Sequence, residues 1–309
     1  MRLGIDLRHV PADGSPGAGV SHASVELAET MERMGPEWGI ECIPIRGEMR
    51  SWQLAQLIKK QNIQALFCAS GAVPPFVSVP CFPWVHDVAI FKHPEWFSQS
   101  TLKRLITTKL FLHGVKRAKH VFAVSEDTKR TLMEISGLPS DKITVTYQGI
   151  RPIRPGETKP YALVLGSINP RKNISFIESM WPEIQKRVPH AELIVAGQPL
   201  MSFDDAQRDA YVRHATVVLL PSLHEGFGRT ALEAMSAGVP VVASNRGAIP
   251  EVVGDAGLLL DPEDREAWIK GIVRAFEGGL DGGKGPEQAE RFSWDKTAGI
   301  ILAKLSEIR

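Results

Sequence analysis

The chain has 309 residues, of which 43% are hydrophobic and 23% charged, so a disordered chain and a collagen-like repeat are excluded. Its length exceeds what one hydrophobic core usually serves, and two domains are expected. Lys and Arg number 36 against 35 Asp and Glu, which gives a formal net charge of +1. No overall field attracts nucleic acid, and we expect no nucleic-acid partner.

The cysteines and the N-terminal sequence indicate a cellular location. Cys42, Cys68 and Cys81 lie in apolar stretches without C-x-x-C spacing, which favours buried thiols in a reducing compartment. Asp6 and Arg8 fall where a signal peptide would be apolar. No window approaches the ~18 apolar residues of a membrane span. These features predict a cytoplasmic protein.

Short apolar runs alternate with helical patterns along the chain. The predicted strands are Leu3–Leu7, Ile40–Ile45, Ala65–Ala69, Cys81–Val85, His120–Ser125, Ile143–Tyr147, Tyr161–Leu165, Ala191–Ala196, Thr216–Pro221, Pro240–Ser244 and Gly257–Leu260. Helical spacing occurs at Val20–Met34, Ser51–Lys60, Ser125–Ile135 and Ser175–Val188. Short apolar runs are typical of strands covered on both faces, and this alternation predicts a doubly wound parallel α/β architecture.

A Pro- and Gly-rich segment at 149–160 interrupts this pattern and predicts a domain boundary. We expect a first Rossmann-like domain at 1–150 and a second at 151–292, the two facing a cleft. The segment 293–309 forms a final helix, predicted at Trp294–Ile308. It lies too far past the last strand to be a crossover, so we expect it to return to the first domain.

Ligands of open α/β sheets bind beyond the carboxyl ends of the strands, so the loops that follow the strands are informative. The loop after the first strand contains Gly17 and Gly19 before a helix, which suits a backbone close to a phosphate or sugar. A flexible surface loop is the alternative. His22 stands where the G-x-G-x-x-G dinucleotide motif needs its third glycine, so an NAD site is not predicted. His86 follows the fourth strand, either as a structural donor or as a catalytic residue.

The strongest functional pattern follows the strand that ends at Pro221. The loop Glu225-Gly226-Phe227-Gly228 precedes a helix predicted from Arg229 to Ser236. Free backbone N–H groups from Gly226 to Thr230 would form an anion site at the positive end of this helix.

Two carboxylates, Glu225 and Glu233, flank this predicted anion site. Each would repel a lone phosphate, so a ligand with both phosphates and hydroxyl groups, such as a nucleotide sugar, fits better. The alternative makes Glu225 a helix cap and Glu233 an exposed helix residue. Arg171 and Lys172, which follow the first strand of the second half, suit a diphosphate, or they are simply solvated.

Together these motifs resemble the family 4 glycosyltransferases of GT-B fold, which are retaining enzymes that use nucleotide-sugar donors. The most specific part is the E-x7-E pattern of Glu225 and Glu233 within EGFGRTALEAMSAGVPVVAS. GSINPRKN at Gly166–Asn173 and AVSEDTKRTL at Ala123–Leu132 support it. VHDVAIFKHPEWF at Val85–Phe97 is most similar to mannosyltransferases that build bacterial surface polysaccharides.

The resemblance implies roles for these residues. Glu225 would act at the donor sugar near the reacting carbon, and His86 would contact that sugar. Glu233 would bind the ribose hydroxyls. The donor would also meet the loop and helix start through the residues Gly226, Phe227, Gly228 and Thr230.

Other implied contacts concern the diphosphate. Arg171 and Lys172 would neutralise it as it departs, while Gly17 and Gly19 would let their loop approach the phosphates. The family implies no metal and no other cofactor. The implied partners are a nucleotide-sugar donor and a saccharide or lipid-linked acceptor. A nucleotide-sugar hydrolase or epimerase and a non-catalytic nucleotide-sugar-binding subunit are the alternatives.

Two features depart from the family pattern. Only 198–215 stands where the family usually places a further strand and helix, which leaves the identity of the nucleobase open. Arg229 stands where relatives often carry an apolar residue, and it would reach the diphosphate or face solvent.

The stretch at 101–120 combines an apolar stripe with six cations and no acid. In family relatives such a face docks on membranes, so contact with the inner face of the membrane is one interpretation. A helix with its stripe buried in the core of the first domain is the other, and the sequence slightly favours it.

Overall fold

The computed structural model describes residues 1–11, 19–97, 99–166, 169–197 and 204–307. The chain forms two compact units. Unit 1 comprises Met1–Gly149 together with the C-terminal helix from Ser293, and unit 2 comprises Ile150–Phe292.

The secondary structure follows the predicted alternation. The strands are β1 Arg2–Asp6, β2 Glu41–Ile45, β3 Ala65–Cys68, β4 Cys81–Val85, β5 Val121–Ala123, β6 Ile143–Val145, β7 Lys159–Leu165, β8 Glu192–Ala196, β9 Ala215–Leu220, β10 Val241–Ser244 and β11 Leu258–Leu260. The helices are α1 Val20–Met34, α2 Ser51–Lys60, α3 Ala89–Lys92, α4 Thr101–Arg117, α5 Glu126–Ser136, α6 Ile174–Arg187, α7 Asp205–His214, α8 Arg229–Ser236, α9 Ile249–Val253, α10 Arg265–Phe276, α11 Gly285–Glu290 and α12 Trp294–Glu307. Each predicted strand is present.

Unit 1 contains a parallel sheet of strand order β2-β1-β3-β4-β5-β6. Helix α12 completes this unit by packing against α1. The Thr297 hydroxyl donates to the carbonyl of Tyr147, and the Trp294 ring packs edge-on against Trp84 with centroids 6.2 Å apart. The final helix therefore returns to the first sheet, as its distance from the last strand predicts.

Unit 2 contains a parallel sheet of strand order β11-β10-β9-β7-β8. Helices α6 and α10 cover it with a core that includes Trp268 and Ile177, both fully buried. The carboxyl ends of β7, β9 and β10 are neighbours, so the loops that follow these three strands meet at one edge. The expected architecture of two parallel α/β domains is confirmed.

Helix α4 corrects one expectation. Its buried residues are Gly114 and Val115, near its C-terminus. The stripe residues Leu102, Leu105, Ile106 and Leu110 are between 50% and 68% exposed. The helix predicted from the periodicity is present. The expectation that its stripe is buried in the core is wrong, because no described element covers these four residues.

Two further expectations concern the cysteines and membrane spans. Cys68 and Cys81 are buried and Cys42 is half-buried, and burial raises the pKa of the Cys42 thiol to about 12. Within the described ranges, no helix is long and apolar enough to cross a membrane.

Candidate functional site

Glu225 lies at the centre of a buried ion cluster in unit 2. The Lys172 Nζ and the Ser222 hydroxyl donate to its Oε1 at 2.6 and 2.7 Å, and an Arg171 nitrogen donates to its Oε2 at 3.0 Å. The same Arg171 nitrogen donates to the carbonyl of His224 at 2.8 Å. The loops after β7 and β9 are thereby joined through one carboxylate. The interpretation of Arg171 and Lys172 as solvated surface residues is wrong.

The electrostatics of this cluster fix the charge of Glu225. Burial alone would raise the pKa of its carboxyl, but Lys172 and then Arg171 outweigh it and lower the pKa to about 2. Glu225 is therefore ionised at neutral pH and unsuited to donating a proton. Its side chain does not cap the helix either, since the N-cap of α8 is Gly228.

Backbone hydrogen bonds position Arg171 and Lys172. The Asn169 side chain accepts from the Lys172 backbone at 3.2 Å, and the Arg171 carbonyl accepts from the Leu223 backbone at 2.8 Å. The Lys172 side chain crosses Gly166, where an added Cβ would lie 3.0 Å from its Cε. Asn173 follows in the left-handed conformation and begins α6. The segment Asn169–Asn173 thus forms a turn that directs both cations toward Glu225.

The loop after β10 supports Glu225 from another side. The Ala248 backbone donates to the Glu225 carbonyl at 3.0 Å. Gly247 has a φ of +59°, and a Cβ on it would lie 2.7 Å from the same carbonyl oxygen. A glycine is required there by both conformation and space.

Glu233, on α8, forms a second ion cluster. It pairs with Arg208 from α7 and, at 3.6 Å, with Arg229 one turn earlier on α8. Its side chain is only 3% exposed. The interpretation of Glu233 as an exposed helix residue is wrong, and so is that of Arg229 as a solvent-facing cation, since Arg229 is 14% exposed.

The start of α8 has the geometry of an anion site. Gly228 takes a φ of +104° as N-cap, and no side chain caps the helix. Phe227 is buried against Phe292 with ring centroids 5.8 Å apart, so an anion at this helix start would meet its backbone rather than its ring. Gly226 is buried and Thr230 is half-buried. The backbone N–H groups at this end carry the positive pole of the helix dipole, which favours an anion.

His86 is held within unit 1. Its Nε2 lies 2.7 Å from the carbonyl of Ala69, so this nitrogen carries the proton, and its Nδ1 accepts from the Gln148 amide at 3.0 Å. The ring also packs on Trp84 at 4.3 Å. Both ring nitrogens therefore have partners, which supports the structural-donor alternative as much as the catalytic role. Gly19 has a φ of +61° before α1, whereas Gly17 lies outside the described residues.

A cavity of about 870 Å³ lies at the carboxyl ends of β1, β2 and β3 in unit 1. Its charged lining residues are Asp6, Arg8, Glu48 and Arg50, two acids and two bases. Asp6 and Arg8 are paired through two hydrogen bonds of 2.8 Å. His9 also lines it, and burial lowers the pKa of that imidazole. A cavity with balanced charge suits an uncharged, hydroxyl-rich ligand.

Metal coordination has no support in the part of the chain that the structure describes, since no three His, Cys, Asp or Glu side chains come together there to hold an ion.

Known families match both halves of the chain. Residues 21–154 match the family described as Glycosyltransferase Family 4, and residues 159–277 match Glycosyl transferases group 1. The chain belongs to the family 4 glycosyltransferases.

Curated relatives and solved structures agree with this membership. O-antigen chain mannosyltransferase B of Escherichia coli is 30% identical over 68% of this chain and 66% of its own. O-antigen chain mannosyltransferase RfbU of Salmonella typhimurium is 27% identical over 72% and 67%. The chain thus spans about two thirds of the length of these relatives.

Two solved structures share the fold. Sucrose-phosphate synthase from Thermosynechococcus elongatus has a TM-score of 0.77 at 16% identity, over 100% of both chains. Anabaena HepE, solved with UDP and glucose, has a TM-score of 0.72 at 18% identity, over 99% of both chains. These TM-scores show that this glycosyltransferase has the GT-B fold.

Sequence reasoning missed three residues of the site in this glycosyltransferase. Ser222 is a short polar residue at a strand end, a weak signal by itself. Gly247 lies in a loop whose proximity to Glu225 depends on β9 and β10 being neighbours. Arg208 lies on α7, within the shortened 198–215 segment, and only the tertiary structure brings it to Glu233.

Proposed function

We propose that this protein is a retaining glycosyltransferase that moves a hexosyl group, with mannosyl as the first candidate, from a nucleotide sugar to a saccharide or lipid-linked acceptor. The buried cluster of Glu225 with Arg171 and Lys172 carries the proposal. It combines an ionised carboxylate with two cations beside the N-terminus of α8, which suits a ligand that has both hydroxyl groups and phosphates.

The charge of the unit 2 site supports an anionic donor. Its two carboxylates, Glu225 and Glu233, face four cations, namely Arg171, Lys172, Arg208 and Arg229. Around Glu225, two cations face one carboxylate and leave one positive charge in excess, which favours a diphosphate, whereas Asp205 and Asp209 offset the charge of Arg208. This excess explains how Glu225 can lie beside a phosphate site.

In the proposed reaction, the bond between the sugar carbon and the diphosphate oxygen breaks, and a bond to the acceptor oxygen forms on the same face. Arg171 and Lys172 bind the departing diphosphate, whose oxygen takes the acceptor proton. Glu225 accepts a hydrogen bond from a sugar hydroxyl and stabilises the positive charge that develops on the ring. His86 would orient the sugar through its fixed ring.

We place the acceptor on unit 1, in the cavity with Asp6, Arg8, Glu48 and Arg50. Its balanced charge favours a saccharide over a second phosphate-rich ligand. The mannosyl assignment follows the two O-antigen mannosyltransferases, whose names describe their own activity.

We also propose that helix α4 contacts the inner face of the membrane. Its exposed stripe residues Leu102, Leu105 and Ile106 accompany the cations Lys103 and Lys109 on a helix without acids. Apolar residues insert into the interface while cations attract anionic lipid headgroups.

A sedimentation assay with phosphatidylglycerol vesicles tests this contact. We expect binding at low salt that fades as salt is added, and loss of binding in Leu105→Ser. Ile300→Ser, which changes a residue of α12 that is 44% exposed, should bind as the parent does. Equal binding by both variants would remove the membrane contact.

A panel of GDP, UDP, ADP and dTDP sugars, followed by thermal shift, tests the donor assignment, because a ligand of the folded state raises its apparent stability. NMR of the product formed with acceptor saccharides then reports the anomer, which retention requires to match the donor. Release of free sugar alone would identify a hydrolase. A nucleotide sugar whose sugar has changed configuration at one carbon, with no transfer, would identify an epimerase. Binding without any product would identify a non-catalytic subunit.

A further inference from the structure

Arg208 pairs with the buried carboxylate of Glu233. It reaches across from α7 to the carboxylate on α8, and its side chain is 25% exposed whereas that of Glu233 is 3% exposed. The second partner, Arg229, lies on α8 itself and is 14% exposed. Of these two cations, Arg208 is the more exposed one and the one contributed by a separate helix.

In this arrangement a ligand cannot reach Glu233, the residue that the proposed function assigns to the ribose hydroxyls. Glu233 can accept hydrogen bonds from a ribose diol only if the ligand touches its oxygens, and at 3% exposure a ligand cannot do so. Something must therefore move before the donor binds in that way. Displacing Arg229 would break a contact within α8, whereas displacing Arg208 requires that a side chain from another helix, 25% exposed, turn away from Glu233.

Arg208 has alternative neighbours of the right charge. Asp205 and Asp209 lie on its own helix and interact electrostatically with its guanidinium. A guanidinium that leaves Glu233 therefore stays near acids and near solvent, which makes two positions of the side chain accessible at modest cost.

We propose that Arg208 is a latch on the donor site, which pairs with Glu233 when the site is empty and is displaced by the ribose hydroxyls when a nucleotide binds. The proposal rests on the proposed function, in that it takes Glu233 as the ribose contact. It makes Arg208 a positioning residue, and it makes the donor compete with an ion pair that the protein itself supplies. The alternative is a permanent brace, in which Arg208 holds Glu233 in place for the ribose, so that removal of Arg208 would weaken nucleotide binding.

Binding measurements separate the latch from the brace. GDP, UDP, ADP and inorganic pyrophosphate are titrated calorimetrically into the parent, Arg208→Ala and the matched control Arg213→Ala, which changes another arginine of α7. The latch predicts that Arg208→Ala binds the nucleoside diphosphate that the parent accepts about threefold to tenfold more tightly, because binding no longer has to break the ion pair. Pyrophosphate, which has no ribose, should bind Arg208→Ala no better than the parent does.

Two further variants keep the result interpretable. Arg208→Gln, which keeps a polar side chain, should show the same direction if Arg208→Ala folds poorly. In a Glu233→Ala background, Arg208→Ala should no longer change nucleotide affinity, because the partner of the latch is missing. Unchanged or weaker nucleotide binding by both Arg208 variants, with Arg213→Ala like the parent, would overturn the latch.

A second readout needs no nucleotide. Labelling of carboxylates with a water-soluble carbodiimide and an amine, followed by mass spectrometry, should modify Glu233 in Arg208→Ala but scarcely in the parent. Equal labelling in the two proteins would overturn the latch. If none of the nucleotides binds any of the proteins, the proposed function fails while the labelling still tests whether Arg208 covers Glu233.

Discussion

Replacing Glu225 with glutamine tests the centre of the site, because it leaves Arg171 and Lys172 beside a neutral amide. The two cations lower the pKa of the Glu225 carboxyl from its ordinary 4.5 to about 2, against burial. A pKa lowered by that amount corresponds to about 3 kcal/mol of folding free energy at neutral pH. Since the Arg171 and Lys172 side chains are each 18% exposed, water offsets part of the loss, and about 2–3 kcal/mol is expected.

The pH dependence follows from the direction of the shift. A carboxyl with a depressed pKa in the folded state contributes stability above its unfolded pKa, and that contribution is lost as the pH falls through the folded value. The free-energy difference between the parent and Glu225→Gln should therefore be full at pH 7 and fall to about 1 kcal/mol at pH 3. Urea unfolding at pH 7, 5 and 3 measures it.

Glu183→Gln is the matched control. Glu183 also pairs with two cations, Arg187 at 3.1 Å and Arg265 at 2.7 Å, but on the surface of the same unit. Because water screens these pairs, its replacement should change the unfolding free energy little at any of the three pH values. A pH-independent loss in Glu225→Gln, or a loss of equal size in the control, would refute the electrostatic reasoning.

The same variant has a kinetic signature. In the proposed reaction Glu225 acts on charge that develops in the transition state, so Glu225→Gln should lower kcat by about 100-fold or more. Diphosphate affinity should not weaken, since Arg171 and Lys172 lose a competitor. Parent-like kcat in a folded Glu225→Gln protein would place the chemistry elsewhere.

Three further substitutions test single contacts. Lys172→Met should weaken nucleoside diphosphate binding by about tenfold or more by calorimetry, because a charge-assisted bond to phosphate is lost; an unchanged Kd would contradict this. Gly247→Ala should lower both Tm and kcat, because a Cβ there meets the Glu225 carbonyl, whereas Gly278→Ala, with a φ of +74° in open space, should lower only Tm. Glu233→Ala should mainly raise the donor KM, and a large fall in kcat with unchanged KM would argue against a ribose contact.

The strands and most helices are predictable from the sequence because their signals are local. Strands buried on both faces appear in the sequence as short apolar runs. The helix at Glu126–Ser136 is predicted by its N-cap residue Ser125, whose hydroxyl accepts a hydrogen bond from the Thr128 backbone. The start of α8 at Arg229 is equally local, since it follows Gly228.

What the sequence could not predict depends on which strands become neighbours. Lys172 meets Glu225 because β7 lies beside β9 in the sheet, and nothing in either segment states that order. The expectation that the apolar stripe of α4 is buried is wrong for a related reason. Periodicity shows that Leu105 and Leu110 share a face, but burial requires a partner for that face, and periodicity contains no information about the partner.

Both carboxylates of the proposed donor site are paired with cations before any ligand arrives, and under the proposed function this makes donor binding an exchange of partners. Lys172 and Arg171 already bind Glu225, and Arg208 already binds Glu233. A nucleotide sugar must therefore supply phosphates for the cations and hydroxyls for the carboxylates at the same time. A ligand with phosphates alone would strip the cations from Glu225 and leave a buried charge uncompensated, while a free sugar would leave the cations where they are. Selectivity for the intact donor follows from that requirement, because only a molecule with both groups satisfies every charge that it disturbs.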